Sequence, residues 1–296
     1  MKVLAIVATR NEENYINYCL KNLIEQKLDV YLIDNDSNDK TVEIAKKYLG
    51  KGLIEIKSIK HKGYYEFLPI LKKKEQLSQQ LNYDWFMHVD ADEIYEAPKE
   101  YKNLYEGIKD ADVKGYNVIN FEEFTFIPKN NDDKFEGKDY TKLMNNYYFY
   151  EPRKNNHGRL WKKNIYADIV TNCGHNVLLP NRKTFKKNFV LKHYIGLSYD
   201  YLIEKYVSGK RQHSKQEKSF SWGNDRMGFK KEDFNLNKTN KNLKIYKFDR
   251  NYDRNDPVDI HWWDNRSKKK TIQKFFQKNF PKIFKRKIKY GYKDFR

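Results

Sequence analysis

"DWFMHVDADEIYE", Asp84 to Glu96, is the stretch on which the reading of this chain turns. An apolar run of large side chains, Trp85 to Val89, stops abruptly at Asp90, Ala91, Asp92 and Glu93. Apolar runs without alternation suit a strand covered on both faces of a sheet. Three acids at the edge of such a strand call for a cation.

Outward from that strand the chain alternates. "VLAIVAT" (Val3 to Thr9) reads as a first parallel strand, and "EENYINYCLKNLIEQ" follows with Ile16, Cys19, Leu20, Leu23 and Ile24 at helical spacing. "DVYLIDN", "GLIEIKSI" and "WFMHVD" read as further strands, with "DKTVEIAKKYL" and "FLPILKKKEQLSQQL" as the helices between them. Such alternation implies right-handed βαβ units and a twisted sheet with covered faces. Ligands of these sheets bind beyond the carboxyl ends of the strands. Three polar clusters fall at that edge: Thr9-Arg10-Asn11-Glu12, Asp34-Asn35-Asp36-Ser37 and Asp90-Ala91-Asp92-Glu93. A single aspartate there is commonly a helix cap, and Asp36 or Asp39 can serve so for the second helix.

"GYNVINFEEFTFIP" predicts another strand, and the polar "KNNDDKFEGKDYTKLMNN" a mobile loop. "GRLWKKN", "CGHNVLLP" and "FVLKHYIGLS" read as short strands and turns, and "YDYLIEKYVSGKRQ" as a helix. The segment "KKKTIQKFFQKNFPKIFKRKIKYGY" places Ile272, Phe275, Phe276, Phe280, Ile283 and Phe284 on one side and lysines on the other, with a break at Pro281. It can lie on an anionic membrane or pack on the rest of the chain.

The 59 Lys+Arg outnumber the 40 Asp+Glu, a formal charge of +19, which favours an anionic partner or simply a solvated surface. The two cysteines, Cys19 and Cys173, form no CxxC pair, which argues against a disulfide scaffold and suits a reducing compartment. No stretch approaches the length of a spanning helix, so a cytoplasmic protein, or one on the cytosolic face of a membrane, is expected.

Asp90 and Asp92, one residue apart at a strand end, can converge on one hard cation, magnesium or manganese, which keeps open positions for phosphate oxygens. Neither GxxxxGK[ST] nor GxGxxG occurs, so phosphate charge must be handled otherwise.

"VLAIVATRNEENYI", "YLIDNDSNDKT" and "DWFMHVDADEIYE", in this order, resemble the inverting family-two glycosyltransferases of the GT-A fold. "LKHYIGLSYDYLIEKYVSGKRQ" is similar to the His-Tyr, Ser and Lys segment of a branch with a DaDE-type metal motif, and the match runs from Lys2 to Arg211 with gaps. The resemblance implies a Rossmann-like mixed sheet flanked by helices: a nucleotide-sugar-binding half over 1–125, an acceptor-binding half over 126–214 and a basic helical extension over 215–296. It implies a nucleotide-sugar donor, most often of uridine diphosphate, Mn2+ or Mg2+, and a glycan, lipid or protein acceptor, with the basic tail as a peripheral membrane contact. Asp34 matches the aspartate on the uracil edge, Thr9 and Glu12, with Arg10 and Asn35, the loops around the nucleoside. Asp90 is placed at the ribose or a metal water. The resemblance makes Asp92 and His193 the metal ligands. The family's DDGSxDxT appears here as Asp34 to Thr41 with Asn35 for the second Asp and Asp36 for the Gly, and Asn35 still offers hydrogen bonds.

An inverting transfer needs a carboxylate to take the acceptor's proton. Glu122 or Glu123 and Asp168 are the candidates, with Glu123 and Asp168 carried forward. Arg159, Trp161 and His175 are candidates for acceptor or diphosphate contact, with Lys162 beside them. Two other functions compete. Metal-dependent nucleotidyl transfer lacks its Gly-rich basic loop, since "ATRNEEN" is acidic and glycine-free. A non-catalytic basic module for membrane or nucleic acid explains the charge but gives the ordered acidic clusters no purpose, and nucleic acid is not expected.

Overall fold

The computed structural model describes residues 1–64, 67–152, 157–208, 229–236 and 243–261. The first apolar run forms β1 (Val3–Thr9), followed by α1 (Ile16–Glu25), β2 (Asp29–Asp34), α2 (Thr41–Lys46), β3 (Leu53–Ser58), α3 (Phe67–Gln80) and β4 (Trp85–Asp90). The alternation thus has the expected order. β1 is buried on both faces between α1 and α3, and so carries no alternation: Leu4, Ala5, Ile6 and Val7 are all inaccessible. α1 buries Ile16, Cys19, Leu20 and Leu23, the stripe that its spacing predicts. Pro69 lies in the first turn of α3, where no intrahelical N–H is needed.

β3, β2, β1 and β4 are parallel, and β9 (Leu160–Lys162) and β6 (Val118–Ile119) extend the sheet, each antiparallel to its neighbour. A second sheet runs in the order β11 (Lys244–Ile245), β8 (Asn146–Tyr150), β7 (Phe121–Phe126), β10 (Phe189–Tyr194), β5 (Glu93–Glu96). α4 (Leu104–Val113) follows β5, α5 (Tyr140–Leu143) precedes β8, and α6 (Tyr199–Tyr206) follows β10. This is the expected α/β class.

Two expectations change. "GYNVINFEEFTFIP" is two strands, not one: β6 belongs to the first sheet and β7 to the second. Asn120 marks the switch, its amide donating to Phe121 O and Asn188 Oδ1 while its Oδ1 accepts from the N–H of His157. The segment 129–146, expected as a mobile loop, contains α5 and is pinned by aromatic packing. Tyr140 is fully buried there, edge-on to Tyr15, Tyr18 and Tyr194. A polar composition hid one large anchor. Of the basic extension, residues 244–258 are tied to the second sheet by β11 and by the bridge of Tyr150 to Val258, whereas the amphipathic segment over 268–292 lies outside the described residues. Among the described residues no helix is long and apolar enough to cross a membrane.

α4 is locked onto the second sheet at Gly107, where a Cβ would meet Phe189 Cζ at 2.6 Å and Tyr101 Cδ2 at 3.2 Å. We expect Gly107→Ala to destabilise the fold by about 1–3 kcal/mol through overpacking. Urea unfolding checks this: a lower midpoint at unchanged slope is the expected result, and an unshifted midpoint is the contrary one.

Candidate active site

Register brings the three polar clusters together. β1 lies between β2 and β4, with Thr9 opposite Asp34 and Ala8 opposite Asp90. The strands end at one edge, so the loops that follow share one end of the sheet.

The first two loops lace each other. Arg10 Nη1 donates to the carbonyls of Asn35 and Asp36, both at 2.6 Å. Ser37 Oγ accepts from the N–H of Asn11 at 2.9 Å and donates to Asp34 Oδ1 at 2.6 Å. The N–H of Glu12 donates to Thr41 Oγ1, and Asp39 accepts from the N–H groups of Glu13 and Thr41. Asn11 and Asp36 take φ of 53° and 60°. Asn and Asp tolerate that left-handed region better than most side chains, which is how Asp36 stands where the family pattern has Gly. Asp34 and Asn35 are buried. Asn35 is anchored through its N–H to Thr9 O and its amide to Ile59 O.

The acids of the third cluster separate into different environments. Glu93 is 1 % exposed and holds the Arg159 guanidinium, with Nη1 2.7 Å from Oε2. Its carboxylate also takes the Tyr95 hydroxyl and the N–H of Asp90. Asp90 is half-buried, 3.6 Å from Arg159 Nη1 and 3.5 Å from His88 Nε2. Behind it the buried Lys74 donates to Val89 O at 2.9 Å and meets His88 Nδ1 at 3.1 Å. Burial lowers Lys74 to about 8, against the pull of Asp90 and Glu93. Burial, then Lys74, lowers His88 to about 4. Burial alone would raise Asp90, but His88, Arg159 and Lys74 hold it well below the usual carboxylate range.

Asp92 faces the second sheet. Lys205 Nζ of α6 lies 2.7 Å from its Oδ2, and His193 Nε2 of β10 lies 3.7 Å from the same oxygen. His193 Nδ1 is 2.7 Å from Glu123 Oε1. An ionised carboxylate only accepts, so the Nδ1 proton lies in that bond and Nε2 is turned to Asp92. The 3.7 Å gap is too long for a hydrogen bond and within the span of two ligands of one ion at about 2.1 Å each. Among the described residues no group of three or more His, Cys, Asp and Glu could hold a metal ion. Magnesium and manganese need fewer protein ligands when phosphates complete their shell, and the pair Asp92 and His193, oriented by Glu123, fits that case once an ion displaces the Nε2 proton of the imidazole.

The other candidate residues differ in their burial and partners. Glu123 is 3 % exposed, with its carboxylate engaged by His193, Thr125 Oγ1 and, at 3.4 Å, His157. Its Oε1 holds His193 Nδ1 and so orients that imidazole. Asp168 caps its own turn, accepting from the N–H and hydroxyl of Thr171, while its backbone pairs with Leu178. That turn uses both of its oxygens. Trp161 is wholly buried and stacked on Phe86, so it presents no face to a sugar. Arg159, 2 % exposed, is the floor cation of Asp90 and Glu93. His175 is the outer neighbour of that floor, its Nδ1 3.0 Å from Arg159 Nη2. Sequence reading gave no role to Lys74 or, beyond a lysine in the matching family segment, to Lys205. Each sits on the apolar stripe of its helix, Lys74 among Ile70, Leu71, Leu77 and Ser78 and Lys205 three residues after Leu202. A lysine interrupting such a stripe was the available signal.

The glycosyl transferase family 2 model matches residues 4–170, more than half of the chain. No curated protein sequence matches. Among solved structures, residues 1–349 of TarS from S. aureus in complex with UDP are 16% identical, covering 66% of this chain and 61% of that one, with a TM-score of 0.42. The same protein in complex with UDP-GlcNAc is 16% identical over 70% of this chain and 62% of that one, at a TM-score of 0.40. The mannosyltransferase PcManGT from Pyrobaculum calidifontis, in complex with GDP-Man and Mn2+, is 20% identical over 40% and 35% at 0.32. At TM-scores this low the likenesses carry no argument about what this chain binds.

Burial alone would lower the His193 imidazole, but Glu123 and then Asp92 outweigh it and hold it well above its ordinary value. Its stabilising contribution is therefore full below about pH 6.5 and is lost as pH rises through the raised folded value. Glu123 is depressed despite its burial, chiefly by His193, so its contribution is present above about pH 4 and lost as pH falls through the depressed value. We expect Glu123→Gln to return the His193 titration toward about 6.5 and to destabilise by about 3–5 kcal/mol at neutral pH, a penalty that narrows at high pH. NMR titration of the imidazole and urea unfolding across pH report both, and an unmoved His193 titration refutes the pairing.

Proposed function

The chain belongs to glycosyl transferase family 2, with the α/β fold of a GT-A enzyme, and on that premise we propose that it transfers a sugar from a nucleotide-diphosphate sugar to an acceptor hydroxyl with inversion. The observation that carries this reading is the convergence of Thr9, Asp34 and Asp90 on adjacent strand ends with Asp92 and His193 across from them. A uridine diphosphate sugar is the donor to test first. The interlaced loops of Arg10 to Glu12 and Asp34 to Ser37 form a preorganised wall for the nucleoside, with buried Asp34 as the carboxylate for the edge of the base. Half-buried Asp90 faces the ribose.

Asp92 and His193 would hold a divalent ion, Mg2+ or Mn2+, which when bound stabilises the negative charge that grows on the departing diphosphate. Glu123 keeps the His193 imidazole in the orientation that turns Nε2 to this position. Arg159 and Glu93 keep Asp90 and Asp92 apart on a rigid floor, which limits reorganisation during transfer. The acceptor is a glycan, lipid or protein hydroxyl, and contact with a membrane surface through the basic extension is part of the same proposal. So are the division into 1–125, 126–214 and 215–296 and a cytoplasmic setting.

The purified protein should bind uridine diphosphate in calorimetry and hydrolyse or transfer from a uridine diphosphate sugar in the presence of Mn2+. Asp34→Ala should weaken nucleotide binding by about 10-fold. Asp92→Ala should lower kcat by about 100-fold or more with an unchanged circular-dichroism spectrum. Full turnover in a folded Asp92→Ala protein removes the proposed mechanism.

A further inference from the structure

An ammonium is costly to bury, and Lys205 is 8 % exposed. Its position is built from several directions. Ser198 caps α6 by accepting from the N–H of Tyr201, and its hydroxyl also bonds to Glu136, which fixes the start of the helix. Seven residues on from that cap, Lys205 Nζ lies 2.7 Å from Asp92 Oδ2 and 3.3 Å from Ile195 O. The rings of Tyr15, Tyr201 and Tyr206 surround it with centroids at 5.6, 5.7 and 5.8 Å. Aromatic faces attract a cation electrostatically, and more strongly once water is excluded. Tyr201 continues outward, its hydroxyl 3.3 Å from Glu12 Oε2 in the first loop. The ammonium therefore sits between the carboxylate offered to a metal and the loop offered to a nucleoside.

The second feature is charge balance at one oxygen. Asp92 Oδ2 faces Lys205 on one side and His193 on the other, while Glu123 faces His193 from behind. The two carboxylates thus meet one ammonium and two imidazoles, His193 and, at Glu123, His157, and a divalent ion that takes Asp92 Oδ2 must share it with an ammonium at contact distance. Like charges around one small carboxylate repel, the more so at low local dielectric.

We propose that Lys205 is the built-in cation of the site: it holds Asp92 in place and competes with a divalent ion for that carboxylate, which sets how tightly the site takes metal. Without metal the same ammonium supplies positive charge beside the diphosphate position. This inference rests on the donor-site reading above. Nothing in the family pattern other than a lysine in the matching segment points to it; the contact itself comes from the fold.

The test is Mn2+ binding to the full chain, followed by electron paramagnetic resonance of the free ion, with and without uridine diphosphate. Lys205→Met removes the charge and keeps most of the volume, and Lys205→Gln removes the charge but keeps a donor for Ile195 O. At least one of the two is expected to give a cooperative melt. The folded variant should bind Mn2+ about 10-fold more tightly than the wild type, while Lys205→Arg stays near the wild type. In excess chelator the same variant should bind uridine diphosphate about 10-fold more weakly. Unchanged or weaker Mn2+ binding in the charge-free variants overturns the competition, as does a melt abolished by both substitutions but restored by Arg with metal affinity unaltered. If the wild type binds no uridine diphosphate, the donor reading fails, and the nucleotide-free Mn2+ titrations still decide the role of Lys205.

Discussion

The Arg159 to Glu93 ion pair is the constraint on which the site depends. Arg159 directly precedes β9 of the first sheet and Glu93 begins β5 of the second, so the pair spans the place where the two sheets meet. Both side chains are shut off from water. A buried pair of this kind contributes little net stability relative to an apolar substitute, yet loss of either partner leaves an uncompensated charge in the interior. Its effect is to specify geometry. With Glu93 fixed, the turn from Asp90 to Asp92 has one course, and its two remaining acids are directed apart.

That separation gives each acid of the cluster a different task. Glu93 faces inward and has become framework. Asp90 stands half-buried over Arg159 and His88, with the buried Lys74 behind. Asp92 is turned to β10 and α6, where it finds His193 and Lys205. Three adjacent acids that look equivalent along the chain are thus distinguished by which cation each meets. The surrounding positive groups keep Asp90 and Asp92 ionised against the effect of burial, which is the state in which a carboxylate can bind metal or accept hydrogen bonds.

Glu123 shows how burial reassigns a residue. A carboxylate after the metal motif is a reasonable base when only its type and order are known. Inside β7 it lies opposite Leu191 of β10 and two residues before Thr125, and its side chain meets His193, Thr125 and His157. It therefore acts through the imidazole. Trp161 is a parallel case, because an aromatic of the kind that stacks on sugars is used instead to fill the space beside Phe86.

Much of the first half was legible in the chain itself. Continuous apolar runs, helical stripes and polar residues at the ends of strands are local signals, and they sufficed for the order of β1 to β4 and for the three clusters at one edge. Asp90 and Asp92 could be singled out from their place at a strand end, a local signal, whereas Asp34 and His193 were reached through the resemblance to the family. The sequence could not tell that Asn120 passes the chain from one sheet to the other, that Tyr140 pins a polar segment, or that Glu123 is sealed behind His193. Each of these depends on contacts between residues far apart in the chain: Glu123 and His193 are joined across a register of parallel strands, and Lys205 reaches Asp92 from a helix of the second half. Residue type and spacing limit which groups can meet, whereas the packing of two sheets decides which do, because only tertiary burial determines what each charge has for a partner.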